Sequence, residues 1–235
     1  MTFTKKFTEI RKKKKNGEKV RVLAFGSSNT ERFIPGQHWL DCFELTIKHK
    51  CGRIHHCINS GTGGETTRDL LRRFDADAAF YRPDLVFLTI GGNDANPLNN
   101  LGADEYEKNL YKLYERFQEM ECFVIFQTYY SPIDEEEQEK RNVDFFKNMD
   151  IVRKVANKTH SGLIDHLKFW QPLKLKRPEK HLELMNDAWH VNTIGNIILG
   201  LTIARCFDVE LEKTHEKFYS EAIIYFNLMK NLVKK

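Results

Sequence analysis

Short apolar runs that alternate with longer segments of helical periodicity are the feature that most limits how this chain of 235 residues can fold. Each run is rich in β-branched or aromatic residues and is short enough to be a strand buried on both faces. Four runs are clear and the last is weaker; they cover residues 20–26, 53–60, 84–92, 122–130 and 161–166. Such strands, alternating with helices, predict a five-stranded parallel sheet that has right-handed crossovers and helices on both faces.

The segments between and after these runs predict the helices. They cover residues 37–50, 66–74, 104–120, 135–160, 192–207 and 214–233. A chain of this length can bury one sizeable core, and no internal repeat or low-complexity linker divides it. We therefore expect one domain over residues 1–235, with a basic N-terminal segment at 1–17 and a C-terminal helical extension at 208–235.

Composition and charge exclude several classes of protein. A hydrophobic content of 41% is typical of a packed globular protein, and a net charge of +4 does not indicate a nucleic-acid partner. Lysines and arginines cluster at both ends of the chain, where solvated helix surfaces are favoured and binding to a polyanion is the alternative. The first twenty residues lack the apolar core of a secretory signal, and no apolar run is long enough for a membrane span.

The cysteines indicate the compartment. Five are present, an odd number, and none forms a C-x-x-C pair. This pattern favours reduced thiols in a cytoplasmic protein over a disulfide framework or a zinc site.

Polar loops follow the first three apolar runs: GSSNT at 26–30, NSGTGGETT at 59–67 and GGND at 91–94. Each loop alone has an ordinary interpretation, as a helix cap, as a glycine-rich turn in which Thr66 or Thr67 caps the next helix, or as an Asx turn. The carboxyl ends of parallel strands share one edge of a sheet, however, so the three loops should lie together. Together they offer a hydroxyl nucleophile, backbone N–H groups and a side-chain amide.

A base for this nucleophile must come from elsewhere in the chain. Nine histidines are present, and His190 in DAWHVNTIG is the best placed, because Asp187 lies three residues before it. A carboxylate at this spacing can hold the imidazole through its Nδ1–H, which leaves the other ring nitrogen to accept a proton from serine.

With these blocks in order, the chain resembles the SGNH hydrolases, the superfamily of the GDSL esterases and lipases. The matching blocks are FGSSNT (25–30), NSGTGGETT (59–67), TIGGND (89–94) and DAWHVNTIG (187–195). The resemblance implies a flavodoxin-like three-layer α/β/α sandwich. It also implies that Ser28 is the nucleophile, that His190 and Asp187 complete a triad, and that Ser28, Gly64 and Asn93 form the oxyanion hole.

The implied reaction is the hydrolysis of a small-molecule carboxylic ester through an acyl-Ser28 intermediate, with no metal or organic cofactor. Within the resemblance, an acetyl ester of a carbohydrate is the first expectation. A lysophospholipid or a thioester is the alternative substrate, and a non-catalytic binding module that keeps the fold is the alternative from another class. One position departs from the family: Ser27 stands where an aspartate usually precedes the nucleophile, which leaves the support of the loop open.

Other residues near these blocks have two interpretations. Trp189 is expected either to wall a substrate pocket or to pack in the core, and Asp94 either to line that pocket or to cap a turn. His166 follows the fifth run and could line the cleft, although it has no partner spaced like Asp187. The stretch LKLKRPEK at 173–180 is expected to be a solvated loop, and a basic surface that favours acidic substrates is the alternative.

Overall fold

The computed structural model describes residues 3–14, 18–53, 55–133, 139–214 and 216–233. Five strands form one sheet: β1 (Val20–Gly26), β2 (His55–Gly61), β3 (Leu85–Thr89), β4 (Phe123–Gln127) and β5 (Gly162–Ile164). The first five helices are α1 (Phe3–Lys13), α2 (Trp39–Cys51), α3 (Thr67–Asp77), α4 (Ala103–Gln118) and α5 (Glu139–Lys158). The others are α6 (His166–Lys176), α7 (Pro178–Leu182), α8 (Thr193–Cys206), α9 (Leu211–Thr214) and α10 (Glu216–Val233), and short 3₁₀ turns cover Ala79–Tyr81 and Pro97–Asn99.

The sheet is parallel throughout, with the strand order β2-β1-β3-β4-β5. This is the flavodoxin-like order, in which the chain winds first to one side of β1 and then to the other. The predicted α/β sandwich with a five-stranded parallel sheet is therefore confirmed. A ligand site is expected at the carboxyl ends of β1 and β3, where the winding direction changes.

Two hydrophobic cores lie on opposite faces of the sheet. Successive residues of β1 alternate between them: Val22 and Ala24 face one core, and Leu23 and Phe25 face the other. Helices α1, α2, α6, α8 and α10 contribute to the first core, and α3, α4 and α5 to the second. Because both faces are covered, the strands are apolar without interruption, which is why they could be identified from the sequence.

The structure differs from expectation around residues 166–182, where a solvated loop had been expected at 173–180. This region forms α6 and α7 instead. On α6, Leu167, Trp170 and Leu173 recur every three residues and are buried, so helix formation covers an apolar stripe. Pro178 begins α7, a position where its missing N–H costs no hydrogen bond.

The ends of the chain also pack on the sandwich. In α1, the rings of Phe3 and Phe7 lie 5.6 and 6.4 Å from that of Phe207, so the basic N-terminal segment contains a helix with a buried side. Helix α10 packs on α6 and α8. The acid-rich start of the helix expected at 135–160 falls on residues 134–138, which lie outside the described residues.

A buried arginine holds the carboxyl ends of the first two strands. Arg73 in α3 donates from Nη2 to the carbonyl oxygens of Gly26 and Ser60, both at 3.0 Å, and from Nη1 to Ser60 Oγ at 2.9 Å. Its Nε donates to Glu65 Oε2 at 2.5 Å, and its guanidinium lies 4.5 Å from the centre of the Phe25 ring. The strand ends and the loop after β2 are thus fixed by one side chain.

The adjacent arginines allow this role to be tested. Replacing Arg73, which is 8% exposed, by methionine removes the nearest cation from the Glu65 carboxylate and a donor from the carbonyl groups of Gly26 and Ser60, so we expect the free energy of unfolding to fall by about 3–5 kcal/mol. The control is Arg72→Met, since the Arg72 side chain is 69% exposed and should change stability by less than about 1 kcal/mol. Urea unfolding of both variants measures the difference, and equal losses would contradict the role of Arg73.

Candidate active site

The loops after β1, β2 and β3 leave the sheet side by side. Gly26, the last residue of β1, pairs with Gly61 on one neighbour and with Thr89 on the other, so the three strands end at the same level. Glycine is required at position 26, because a Cβ atom there would lie 2.3 Å from the carbonyl oxygen of Thr89. The loops therefore meet at the edge that the topology selects for a ligand.

Ser28 lies in the tight turn that follows β1. The N–H groups of Thr30 and Glu31 both donate to the carbonyl oxygen of Ser27, at 2.9 and 3.0 Å, which closes the turn and displays Ser28 at its tip. The Ser28 hydroxyl is 2.8 Å from Nε2 of His190, a residue 162 positions later in the chain. When that nitrogen is unprotonated, the hydroxyl donates to it, which is the geometry of a base poised to take the serine proton.

Asp187 holds the other side of the imidazole. His190 Nδ1 is 2.9 Å from both carboxylate oxygens of Asp187, so the proton is held on Nδ1 and Nε2 is left free to accept. The backbone N–H groups of Trp189 and His190 also donate to Asp187 Oδ1, at 2.8 and 2.9 Å. These bonds close a turn over residues 187–190, and the turn brings the His190 ring back to the Asp187 carboxylate. This explains the D-x-x-H spacing.

The same contacts set the charge of Asp187. Partial burial alone would raise the pKa of its carboxyl group. Hydrogen bonds from the Trp189 N–H and the His190 ring outweigh that effect, so the pKa lies below its usual value. Asp187 is therefore ionised at neutral pH and can stabilise a positive charge on His190.

Ser27 belongs to the wall of the cleft beside Ser28, but its side chain is almost fully buried. It is 1% exposed, and its Oγ lies 2.9 Å from the hydroxyl oxygen of Tyr129, which follows β4. Burial raises the pKa of Tyr129 to about 12, so this pair consists of two neutral hydroxyls. The sequence left open what supports this loop when Ser27 replaces the usual aspartate. In the structure, Ser27 is supported by the hydroxyl of Tyr129.

Gly64 and Asn93 lie beside Ser28 on the wall of a cleft of about 290 Å³. Gly64 has a φ of +78°, a conformation that favours glycine, and in the described part of the chain neither its N–H nor that of Ser28 donates to a protein acceptor. Asn93 donates one amide hydrogen to the carbonyl oxygen of Glu65 at 2.9 Å, which fixes the amide and leaves its second hydrogen available.

Trp189 and Asp94, the two remaining candidate pocket residues, have different positions. Trp189 lines the cleft, with its ring 5.6 Å from that of Phe145 and the guanidinium of Arg141 3.9 Å from the ring centre. The expectation that Asp94 lines the pocket is wrong. Asp94 is 1% exposed, and its Oδ1 accepts from the N–H and the hydroxyl of Thr67, at 2.9 and 2.6 Å. It therefore caps the start of α3 rather than facing a substrate.

Tyr130 joins the turn of Ser28 to the loop of His190 and was not identified from the sequence. Its hydroxyl donates to the carbonyl oxygen of Trp189 at 2.7 Å, contacts Oδ1 of Asn29, and accepts from the N–H of Val191 at 3.0 Å. The only available signal was that Tyr129 and Tyr130 follow the fourth apolar run, at the edge where the other loops gather. Nothing in the sequence signalled Arg141.

His166 is buried at the start of α6 and is not among the residues that line the cleft. Its Nε2 lies 3.0 Å from Gln127 Oε1, and Gln127 Nε2 donates to Thr89 Oγ1 at 2.9 Å. This chain of polar side chains joins the ends of β3 and β4 to α6. Burial lowers the pKa of His166 to about 4, so its imidazole is neutral at neutral pH.

The described residues contain neither a cluster of metal ligands nor a membrane-spanning helix. Within them, no three His, Cys, Asp or Glu side chains are grouped so that they could hold a metal ion. None of the described helices combines the length and the apolar character that crossing a membrane requires.

Comparison with known proteins gives one family. The sequence profile of the GDSL-like lipase/acylhydrolase family matches residues 24–196, a range that includes every residue of the site described above. An acetylxylan esterase of Geobacillus stearothermophilus is 28% identical over 158 residues, which cover 63% of this chain and 70% of that protein.

Solved structures share the fold. The crystal structure of an acetylxylan esterase from Geobacillus stearothermophilus matches with a TM-score of 0.70 at 22% identity, over 84% of this chain and 98% of that one. A crystal structure of the acetyl xylan esterase AlAXEase matches with a TM-score of 0.68 at 26% identity, over 78% and 98% of the two chains. Catalytic mutants of the Geobacillus esterase replace a serine, an aspartate or a histidine by alanine.

The buried His166 predicts a specific pH dependence of stability. The folded pKa of about 4 lies below the ordinary value of 6.5, so between these values the unfolded chain binds a proton that the folded chain does not. The free energy of unfolding should therefore fall as the pH is lowered from 6.5 to 4. We expect this fall to be less steep in His166→Gln, by roughly 1 kcal/mol per pH unit.

Urea unfolding at a series of pH values measures both slopes. The control is His56→Gln, which makes the same substitution at a histidine that is exposed on β2. Identical slopes for wild type and His166→Gln would contradict the prediction.

Proposed function

Since this chain belongs to the GDSL-like lipase/acylhydrolase family and is a carboxylic ester hydrolase, we propose that it hydrolyses acetyl esters of carbohydrates through an acyl-Ser28 intermediate. The observation that carries the proposal is the hydrogen-bonded series Ser28–His190–Asp187, with Gly64 and Asn93 beside the serine. The Geobacillus stearothermophilus relative is an acetylxylan esterase, and its catalytic mutants affect the same three residue types.

The first half of the reaction forms the acyl-enzyme. His190 Nε2 takes the hydroxyl proton of Ser28 while Oγ attacks the ester carbonyl carbon, and a tetrahedral oxyanion forms. The N–H groups of Ser28 and Gly64 and the free amide hydrogen of Asn93 surround the place where this oxyanion develops. The carbon–oxygen bond to the alcohol then breaks, and the alcohol leaves with the proton that His190 carries.

The second half releases the acid. Water enters the place of the alcohol, gives a proton to His190 Nε2 and attacks the acyl carbon. The second oxyanion collapses, the bond to Ser28 Oγ breaks, and His190 returns the proton to the serine. The ionised Asp187 stabilises the imidazolium in both halves, which is the role that its lowered pKa supports.

The cleft fits a small acyl group better than a long chain. It has a volume of about 290 Å³, Tyr129 and Trp189 line it, and the Arg141 guanidinium lies over one face of the Trp189 ring. Tyr129 is itself held by Ser27, so this wall is fixed rather than adaptable. An acetyl group needs only a small part of such a space beside Ser28.

Two adjacent serines give a matched test of the nucleophile. Wild-type protein should turn over p-nitrophenyl acetate and be labelled by a fluorophosphonate at Ser28. Ser28→Ala should lose both activities, because no other hydroxyl lies beside His190 Nε2 in the described part of the chain. Ser27→Ala should still be labelled at Ser28, since the Ser27 hydroxyl faces Tyr129. Mass spectrometry locates the label, and folded wild-type protein that is inert to both reagents would disprove the proposal.

Asn93→Ala tests the oxyanion hole. Loss of one donor to the developing negative charge should lower kcat for p-nitrophenyl acetate by roughly a hundredfold to a thousandfold. Asn96→Ala is the control, because Asn96 is on the same loop but bonds to the N–H of Leu98 and does not line the cleft. Circular dichroism verifies that both variants are folded, and an unchanged kcat in Asn93→Ala would remove Asn93 from this role.

A further inference from the structure

Hydrogen bonds at two neighbouring positions join the loops that carry the proposed oxyanion donors. Gly64 lies in the loop between β2 and α3, and Asn93 lies in the loop after β3. The Asn93 amide donates to the carbonyl oxygen of Glu65 at 2.9 Å. Next to it, Asp94 Oδ1 accepts from the N–H of Thr67 at 2.9 Å and from its hydroxyl at 2.6 Å. Each donor therefore lies within one position of a bond between the two loops.

The carboxylate in this link is sealed from water. Asp94 is 1% exposed, and in the described part of the chain its Oδ2 has no hydrogen-bond partner. Burial raises the pKa of Asp94 to about 6, so the group is still ionised at neutral pH. Hydrogen bonds to an ionised acceptor are about twice as strong as those between neutral groups. The bonds from Thr67 therefore make a strong joint between the loops.

A residue of α4 fixes the direction of the hydroxyl bond. Asn109 donates from Nδ2 to Thr67 Oγ1 at 3.0 Å, and both residues are buried. Because this oxygen accepts from Asn109, the hydroxyl hydrogen of Thr67 is left to point at Asp94 Oδ1. The link between the two loops thus has one defined arrangement, supported from a third element.

The start of α3 also has a cap from within its own element. Asp69, in the first turn of the helix, accepts from the N–H of Thr66 at 3.0 Å and from its hydroxyl at 2.8 Å. Asp69 and Asp94 therefore make the same pair of bonds to neighbouring threonines. Asp69 lies three residues after its partner, whereas Asp94 comes from another loop, 27 residues after Thr67. What Asp94 adds to this helix end is a connection to the loop of Asn93.

We propose that Asp94 is a positioning residue for the oxyanion hole, because it fixes the loop of Asn93 against the loop of Gly64. The inference rests on the proposed function and deepens it, since it concerns the same reaction. The oxyanion forms only after Ser28 has attacked, so donors held in place beforehand stabilise the transition state rather than the bound substrate. Loss of the link should therefore lower kcat and leave KM nearly unchanged.

The two aspartates allow a matched test. Asp94→Ala should lower kcat for p-nitrophenyl acetate by roughly tenfold to a hundredfold, with KM within about twofold of the wild type, because a small displacement of a donor is costly. Asp94→Asn keeps an oxygen acceptor for Thr67 and should recover most of the lost kcat. Asp69→Ala is the control: it removes the equivalent pair of bonds at the same helix end, so it should lower stability but keep the wild-type kcat.

A double-mutant cycle with Asn93 distinguishes positioning from a general structural defect. If Asp94 acts mainly through the Asn93 amide, Asp94→Ala should lower kcat by less than about threefold in a protein that already carries Asn93→Ala. A general defect would lower kcat by the same factor in both backgrounds. Circular dichroism and urea unfolding verify that the variants are folded. If Asp94→Ala does not fold, Thr67→Val takes its place, because it removes the hydroxyl that donates to Asp94.

The outcomes separate this inference from the proposed function. Equal kcat values for Asp94→Ala and Asp69→Ala would overturn the role of Asp94 and leave the ester hydrolase in place. Losses that multiply in the double mutant, or no recovery of kcat in Asp94→Asn, would overturn it as well. Folded wild-type protein that does not hydrolyse p-nitrophenyl acetate would overturn the proposed function and this inference with it.

Discussion

The guanidinium of Arg73 is the contact on which the geometry of the site depends. It binds the carbonyl oxygens of Gly26 and Ser60, where β1 and β2 end, and the Glu65 carboxylate in the following loop. These carbonyl groups lie at the edge where the strands end, and that of Gly26 also accepts from the N–H of Thr62 at 3.2 Å. One planar, permanently charged side chain satisfies them together and sets the distance between the nucleophile turn and the loop of Gly64.

The turn that carries Ser28 is supported by uncharged side chains. Ser27 and Tyr129 form a buried pair of neutral hydroxyls, next to a reaction that creates one negative and one positive charge. A buried carboxylate in that position would carry a desolvation penalty and would repel a nearby oxyanion. With the neutral pair, Asp187 is left as the ionised group closest to His190.

The parts of the structure that were predictable from sequence depend on local patterns. The strands around Val22 and Phe87 are apolar on both faces, so they stand out as continuous runs. The Asp187–His190 pair is a single turn, and its spacing alone indicates the bond. Contacts between distant elements left no such signal: Arg73 looks like any charged residue of an amphipathic helix, and the partner of Ser27 follows a strand about a hundred residues later. The helices at 166–182 were missed because their lysines mask a narrow apolar stripe.

The long separation between Ser28 and His190 has a consequence for synthesis of the protein. Strands β1 to β4 and the loops of Ser28, Gly64 and Asn93 all lie within residues 20–127. His190 lies 162 positions after Ser28 in the sequence. The bonds of Tyr130 to the loop of His190 can form only once that later loop has been synthesised. A chain still emerging from the ribosome therefore contains Ser28 before it contains His190, the hydrogen-bond partner of its hydroxyl. Under the proposed mechanism, its esterase activity begins only when the last fifth of the sequence folds back onto the sheet.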